Sequence, residues 1–265
     1  MERYTTGFTI NAELAAVNRQ LENRALPLRL TDSGQAAEQA QHLQSGAAGA
    51  VRAETKRGSG CYSTGVLRLE KRLSGVVLAG GRNRRMGGLD KGLLVFEGLP
   101  LASRTAKLLA GVFEEVVLVT NSAESYPGLP AGVLRTGDLY PGHGPLAGVH
   151  AGLARSSGEA AFCVACDMPF LSASFIRRLA RRFRRLGCDV LLPRVGGQIE
   201  PLAAIYRRSL LPALERFLAD GQGNSLRRLF PAVRTEYLEL GDTAAVRRLF
   251  TNLNTPEDYR RLCGA

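Results

Sequence analysis

From Ser74 onward, short apolar runs alternate with longer segments in which apolar residues recur at helical spacing. The apolar runs predict strands at Gly75–Ala79, Glu115–Thr120, Val133–Thr136, Ala160–Ala165 and Asp189–Leu192. The longer segments predict helices at Leu101–Ala110, Pro145–Arg155, Ser174–Leu186, Leu210–Asp220 and Ser225–Phe230, and a last helix with Thr255 as its N-cap and Pro256 as its first residue. Strands that alternate with helices need crossover connections. We therefore predict an α/β fold with a mainly parallel sheet and helices on both faces.

The first 73 residues have a different pattern. The stretch Ser33–Arg57 is rich in Ala, Gln, Gly and Ser and has little apolar periodicity. We predict a poorly ordered N-terminal extension at 1–73, followed by one domain at 74–265. A mistaken start site and a small accessory module are the alternative interpretations of the extension.

Composition narrows the class of protein. Hydrophobic residues make up 45% and charged residues 22% of the chain, as in ordinary globular proteins. The sequence has no apolar run of about eighteen residues and no secretory signal pattern, and its five cysteines are scattered. We therefore expect a cytoplasmic protein without a disulfide framework or a membrane span.

The net charge of +11 favours polyanionic partners, and many of the arginines lie on the predicted helix Ser174–Leu186. No stacking aromatic residues are interleaved with these arginines, and no nucleic-acid-binding motif accompanies them, so we predict no nucleic-acid partner. A solvated face is the favoured interpretation. Attraction of anionic substrates or of an acidic partner protein remains open.

A glycine-rich loop follows the first predicted strand. Glycine lets the backbone N–H groups approach an anion, and the loop also carries fixed positive charge: its residues include Gly80, Gly81, Gly87, Gly88, Arg82, Arg84, Arg85 and Lys91. The spacing fits neither a Walker A loop nor a dinucleotide fingerprint. The loop suits a triphosphate, whereas a solvated surface turn is the structural alternative.

Asp167 ends the apolar strand Ala160–Ala165, at the sheet edge where parallel α/β folds bind ligands. Mg²⁺ prefers oxygen ligands and usually binds one or two carboxylates together with substrate phosphates. Asp167 is therefore a candidate metal ligand, although it could also be a helix cap. The Cys163–Cys166 pair lies inside the same strand without a second pair, so we interpret both cysteines as buried structural residues.

Four further polar residues follow predicted strands or precede helices: Asn121, Asp138, Asn252 and Asn254. An amide offers a paired donor and acceptor for a base or ribose. Asn252 and Asn254 alternate on an extended segment, so both side chains should lie on one side of it. Turn and capping roles are the alternatives for Asn121 and for the two later asparagines.

In this order, the strings LAGG, RMGG, DKGL, GPLAG, CDMP and NLNTPE resemble the molybdenum cofactor guanylyltransferases. These belong to the nucleotidyltransferases with a GT-A-like, Rossmann-like fold. The resemblance covers Ser74 to about Leu262. The first three strings are shared with the cytidylyltransferase for the same cofactor and with sugar-nucleotide pyrophosphorylases, and the later motifs narrow the choice.

The resemblance implies a role for each matching position. Arg85, Lys91 and Asp167 would be the catalytic set, with Asp167 holding Mg²⁺. Leu78, Ala79, Gly80 and Gly81, together with Asn121 and Asp138, would bind the nucleotide. Asn252 and Asn254 would lie around the pterin substrate, and Glu200–Tyr206 resembles a segment near it.

The implied reaction is transfer of GMP from GTP to the phosphate of molybdopterin, with pyrophosphate as the second product. GTP and molybdopterin would be the small-molecule partners, and transient contact with a molybdoenzyme or its chaperone is a further expectation. The enzymatic alternatives are a CTP-dependent molybdopterin cytidylyltransferase and a sugar-phosphate nucleotidylyltransferase. A cofactor-delivery chaperone without turnover is the non-enzymatic alternative.

Overall fold

The computed structural model describes residues 73–80, 90–122, 126–220 and 225–263. The predicted extension at 1–73 lies almost wholly outside these residues, so its low order stays a prediction. The first described strand begins at Leu73, one residue before the predicted domain boundary. Most of the glycine-rich loop, residues 81–89, is also outside the described part of the chain.

Ten strands form the sheets of the described residues. Eight belong to one sheet: β1 Leu73–Leu78, β4 Val116–Val119, β5 Leu134–Thr136, β6 Ala160–Ala165, β7 Val190–Val195, β8 Gln198–Ile199, β9 Ala203–Arg207 and β10 Thr235–Leu240. The other two, β2 Val95–Phe96 and β3 Leu99–Pro100, form a small antiparallel hairpin. The order in the large sheet is β10-β7-β9-β6-β1-β4-β5, and β8 pairs with β7.

The large sheet is mainly parallel, as the alternation of strands and helices predicts. Strand β1 pairs in parallel with β4 and β6, β4 with β5, and β7 with β10. Strand β9 is antiparallel to both β6 and β7, and β8 is antiparallel to β7. The sequence analysis missed β2, β3, β8, β9 and β10, because three of them have only two residues and β10 alternates with charged residues.

The described residues contain six α-helices: α1 Leu101–Ala110, α2 Gly144–Arg155, α3 Ala173–Leu186, α4 Leu211–Ala219, α5 Ala244–Leu249 and α6 Pro256–Cys263. Five of them match predicted helices within about one residue, and α5 was missed. The cap of α6 is confirmed, because the Thr255 hydroxyl accepts a hydrogen bond from the Asp258 N–H at 3.1 Å. In the part of the chain that the structure describes, no helix has the length and apolarity of a membrane span.

The predicted helix Ser225–Phe230 is wrong. Two short 3-10 turns, Leu226–Arg228 and Phe230–Ala232, take its place. The reason is Pro231, which has no N–H to donate, and whose ring collides with the preceding turn of an α-helix. Ser225 caps the first turn by accepting a hydrogen bond from the Arg227 N–H at 3.3 Å.

Both faces of the sheet are covered, which explains why the strands read as continuous apolar runs. Val77 belongs to a core that includes residues of α1 and α3, whereas its neighbour Val76 belongs to a second core with residues of α2 and α4. Both valines are fully buried. Helices on both faces, as predicted, therefore leave the strand ends as the place where polar side chains reach a ligand.

Gly152 sets how closely α2 approaches the sheet. A Cβ atom added there would collide with the Val76 side chain. We expect Gly152→Ala to lower the free energy of unfolding by about 1–3 kcal/mol, because close-packed cores accommodate an extra methyl group poorly. Urea unfolding measures the change.

Gly148→Ala in the same helix is the matched control. Its added Cβ would lie 3.3 Å from the flexible end of Leu78, and alanine favours a helix by about 1 kcal/mol over glycine. This variant should be as stable as the unmodified chain or more so. Equal losses in both variants would contradict the assigned contact.

Candidate active site

The carboxyl ends of four neighbouring strands lie side by side. Backbone hydrogen bonds continue past the strands: Ala79 N–H to the Val119 carbonyl at 2.9 Å, Cys166 N–H to the Leu78 carbonyl at 3.1 Å, and Thr120 N–H to the Thr136 carbonyl at 3.0 Å. The loops after β5, β4, β1 and β6 therefore start from one edge. This is the edge at which the sequence analysis placed the chemistry.

Lys91 and Asp167 are in contact at this edge. The Lys91 ammonium lies 3.5 Å from the Asp167 carboxylate and donates a hydrogen bond to the Asn254 side-chain oxygen at 3.0 Å. Backbone pairing brings the third residue there, because the Leu253 N–H donates to the Asp167 carbonyl at 2.9 Å. Asp167 and Asn254, which follow Lys91 by 76 and 163 positions in the sequence, thus both contact the Lys91 ammonium.

Asp167 is held in an environment that disfavours its charge. One carboxylate oxygen is buried and has no hydrogen-bond partner. Burial raises the pKa of Asp167, and the nearby Lys91 ammonium offsets this only in part. A carboxylate with a free, desolvated oxygen is suited to a cation or to a hydrogen-bond donor of a ligand.

The oxygen atoms that Asp167 and Asn252 offer fit a magnesium ion that takes most of its ligands from a substrate. Among the described residues, no group of three or more His, Cys, Asp or Glu side chains could hold a metal. Asp167 offers one free carboxylate oxygen, and Asn252, which lines the same cleft, has a buried amide oxygen without a partner. Hard oxygen ligands in small number, completed by phosphates, are the usual magnesium arrangement.

A partly buried hydrogen-bond network holds the backbone that carries Lys91. The Asp90 carboxylate accepts hydrogen bonds from the Gly92 N–H at 2.8 Å and from the Tyr126 hydroxyl at 2.6 Å. Tyr126 also lies 2.8 Å from the Thr120 hydroxyl, at the end of β4. Burial, together with the Asp90 carboxylate, raises the pKa of Tyr126 to about 12, so it remains a donor. Sequence reasoning missed Tyr126, because no local pattern links it to Asp90.

Asn121 and Asp138 lie together at the ends of β4 and β5. The Asn121 side-chain oxygen accepts a hydrogen bond from the Asp138 N–H at 2.7 Å. The Asp138 carboxylate accepts one from the Tyr140 N–H at 3.2 Å, and burial raises its pKa. The two residues thus form one polar corner, on the opposite side of β1 from Asp167.

Asn252 and Asn254 both line a cleft of about 800 Å³ beside Asp167. The segment is fixed at its far end by a reciprocal cap, in which the Asp258 carboxylate accepts hydrogen bonds from the N–H groups of Asn254 and Thr255 at 3.1 Å. The expectation that both amides lie on one side of the segment agrees with this arrangement. The cleft also contains Gln198, Glu200 and Arg227.

The residues at the start of the glycine-rich loop differ in burial. Leu78 and Ala79 are buried and belong to the core, so their backbone rather than their side chains could meet a ligand. Gly80 is exposed, and an added Cβ there would meet no atom within 4 Å. Gly81 and Arg85 lie outside the described residues, and their roles stay predictions.

The two cysteines in and directly after β6 have the surroundings of buried structural residues. Cys163 and Cys166 are buried, and burial raises the pKa of both thiols well above the usual range. Protonated, buried thiols are poor metal ligands and poor nucleophiles. This agrees with the interpretation made from the sequence.

Comparisons with known proteins identify the family of the chain. The family model described as "MobA-like NTP transferase domain" matches residues 75–237. The chain belongs to this MobA-like NTP transferase family. It is 34% identical over 191 residues to the molybdenum cofactor guanylyltransferase of Syntrophotalea carbinolica, covering 71% of this chain and 89% of that one. It is 36% identical over 188 residues to the probable molybdenum cofactor guanylyltransferase of Pelotomaculum thermopropionicum, covering 70% and 89%.

A solved structure of a MobA-like protein has the same fold. The molybdopterin-guanine dinucleotide biosynthesis protein A of Archaeoglobus fulgidus matches with a TM-score of 0.60 and 26% identity, covering 72% of this chain and 97% of that one. As a MobA-like NTP transferase, the chain is a nucleotidyltransferase. The resemblance stated from the sequence motifs is confirmed.

Tyr126→Phe tests the network beneath Lys91. The variant removes the hydroxyl that donates to Asp90 and leaves one carboxylate oxygen without that partner. We expect a loss of about 1.5–3 kcal/mol in the free energy of unfolding, the range for hydrogen bonds to charged groups. Tyr140→Phe is the control, because no hydrogen bond of its hydroxyl is present among the described residues. A loss in the control as large as that in Tyr126→Phe would contradict the network.

Asp167→Asn tests the cost of the buried charge. The folded-state pKa of Asp167 is raised, so ionisation destabilises the fold, and this cost grows as pH rises above the ordinary value of 3.8. Without nucleotide or divalent ions, we expect the Asn variant to be more stable than the wild type at pH 8. The difference should disappear towards pH 3, where the carboxyl is protonated in both states. Urea unfolding at the two pH values measures it, and a less stable Asn variant at pH 8 would contradict the assignment.

Proposed function

We propose that this chain uses GTP and Mg²⁺ to transfer GMP to the phosphate of molybdopterin, which forms the guanine dinucleotide of the molybdenum cofactor. The observation that carries the proposal is the Lys91–Asp167–Asn254 cluster, which joins the loop after β1, the end of β6 and the segment before α6. The names of the relatives support guanylyl transfer over the cytidylyl and sugar-phosphate alternatives.

Asp167, with its free carboxylate oxygen, would hold the magnesium ion, and Asn252 offers a second oxygen nearby. When bound, the ion supplies neutralisation of phosphate charge and a fixed orientation for the triphosphate. The raised pKa of Asp167 supports this role, since a second cation would compensate the charge that Lys91 offsets only in part.

The residues of the chain act by positioning and charge. The Lys91 ammonium, held between Asp167 and Asn254, would bind the triphosphate together with Arg85 and the backbone of the glycine-rich loop. An oxygen of the molybdopterin phosphate attacks the α-phosphorus of GTP, a new P–O bond forms, and the bond to the β-phosphate breaks. Pyrophosphate leaves with the bonding electrons. The attacking oxygen is already ionised, so no general base is needed, and the barrier falls through orientation and electrostatic stabilisation.

The polar corner of Asn121 and Asp138 would take the guanine nucleoside, because the pair lies at the ends of β4 and β5, on the β4 side of β1, the strand that precedes the glycine-rich segment. The cleft beside Asn252 and Asn254 would take molybdopterin on the other side of Asp167. The two reacting phosphates would then meet at Lys91 and Asp167. We also propose that the reaction takes place in the cytoplasm, where the free thiols of Cys163, Cys166 and Cys188 stay reduced.

The product of a direct assay tests the proposal. Wild-type protein is incubated with molybdopterin, Mg²⁺ and each nucleoside triphosphate in turn, and the products are identified by mass. We expect the guanine dinucleotide with GTP and little product with CTP or ATP. Asp167→Ala should lower the rate of GMP transfer at least about 100-fold, because it removes a charge that acts on the reacting phosphates.

Asp189→Asn is the control. Asp189 precedes β7 at the opposite edge of the sheet and interacts there with Arg207 and the Arg234 N–H, so its loss should leave GMP transfer close to that of the wild type. Preferred use of CTP would overturn the guanylyl assignment. Unchanged transfer by Asp167→Ala would overturn the role of the carboxylate.

A further inference from the structure

The carboxyl edge of the sheet has two polar sides separated by Asp167. One side, at the ends of β4 and β5, carries Asp138. The other side is the 800 Å³ cleft, where Glu200 is the only carboxylate besides Asp167 among its described lining residues. The strand order places β9 and β7 on the far side of β6 from β1, β4 and β5, so Asp138 and Glu200 lie on opposite sides of the central strands.

The backbone of Glu200 is fixed at the start of the loop between β8 and β9. Its N–H donates to the Pro193 carbonyl at 3.0 Å, and its carbonyl accepts from the Ala203 N–H at 3.2 Å. This short reverse turn holds the residue at the cleft wall. The position of the side chain is therefore set by the sheet rather than by a long loop.

The Glu200 carboxylate has no hydrogen-bond or ion-pair partner among the described residues. It is half-buried, and burial raises its pKa, although the positive charge of Arg227 lowers it in part. If the role of Glu200 were to pair with Arg227 for stability, a hydrogen bond between them would be expected, and the structure has none. A half-buried carboxylate without a protein partner in a ligand cleft has acceptor oxygens available, and donors of a bound ligand would replace the water that binding removes.

We propose that Glu200 recognises the 2-amino-4-oxo edge of the pterin ring of the acceptor. A carboxylate has two acceptor oxygens in one plane and can accept two parallel hydrogen bonds. The ring N–H and the adjacent amino group of a pterin present two donors in this same arrangement. The proposal rests on the proposed function, which makes molybdopterin the occupant of the cleft.

Guanine presents the same pair of N–H donors as pterin. The location of Glu200 in the site therefore decides which of the two rings it would bind. The cleft of Glu200 contains Asn252 and Asn254, whereas the Asn121–Asp138 corner lies beyond β1. A nucleotide bound by the phosphate loop would therefore direct its base away from Glu200. Glu200 is thus a specificity-determining residue for the acceptor and not for GTP.

Glu200→Gln is the decisive variant, because it keeps the size of the side chain and replaces one acceptor oxygen with an amide donor. We expect the KM for molybdopterin to rise about 10- to 100-fold, the effect of losing hydrogen bonds to a charged group, with the KM for GTP unchanged. Glu236→Gln is the matched control: Glu236 is exposed on β10 and does not line the cleft, and this variant should behave as the wild type.

A binding measurement without turnover separates the inference from the proposed function. Pterin and lumazine, in which an oxo group replaces the 2-amino group, are titrated by fluorescence. The wild type should bind pterin at least about 10-fold more tightly than lumazine, and Glu200→Gln should lose most of this preference. The inference is overturned by equal affinities in the wild type, by a preference that Glu200→Gln retains, or by a KM for GTP that rises as much as that for molybdopterin. If the wild type transfers no GMP yet discriminates the two rings through Glu200, the proposed function alone is overturned.

Discussion

The contact between Lys91 and Asp167 is the interaction on which the site depends. Asp167 reaches the sheet edge because β6 lies directly beside β1 in parallel register, with Ala165 opposite Leu78. Lys91 reaches the same point in a turn that the Asp90 carboxylate holds through its hydrogen bonds with Gly92 and Tyr126. The cation and the carboxylate lie 3.5 Å apart because the sheet positions Asp167 and the Asp90 hydrogen bonds position Lys91.

Holding charged side chains in these partly buried positions costs free energy. Asp167 and Glu200 are carboxylates whose burial raises their pKa, and neither has enough donors in the protein to offset the loss of water. The fold therefore keeps two charged groups in an unfavourable state that suitable ligands can relieve. Hydrogen bonds and ion pairs that these carboxylates lack in the free protein can form when substrates bind, and they then add to the binding free energy. The protein thus gives up some stability at its active site for the sake of function.

The antiparallel strand β9 gives the site its second side. In a fully parallel sheet, every strand would end at the carboxyl edge and be followed there by a loop that leads into a crossover connection. Here β8 and the turn to β9 instead supply a wall, with Glu200 on it, between the ends of β7 and β6. The polar corner at Asn121 and Asp138 and the cleft at Asn254 thus lie on opposite sides of the central strands, the arrangement that the proposed reaction between two phosphates uses.

The sequence by itself determined the α/β class, most of the helices, the buried strands and the family, because runs of apolar residues and glycine-rich motifs are local patterns. It also identified Lys91, Asp167 and Asn254 as separate candidates. Their contact, the Asp90–Tyr126 network and the unpartnered carboxylate of Glu200 were decided only by the tertiary structure. Short strands such as β8 carry too few residues to show a period, and Tyr126 and Glu200 acquire their roles from neighbours far away in sequence. Burial and desolvation are properties of the packed molecule, and no local pattern of residue types encodes them.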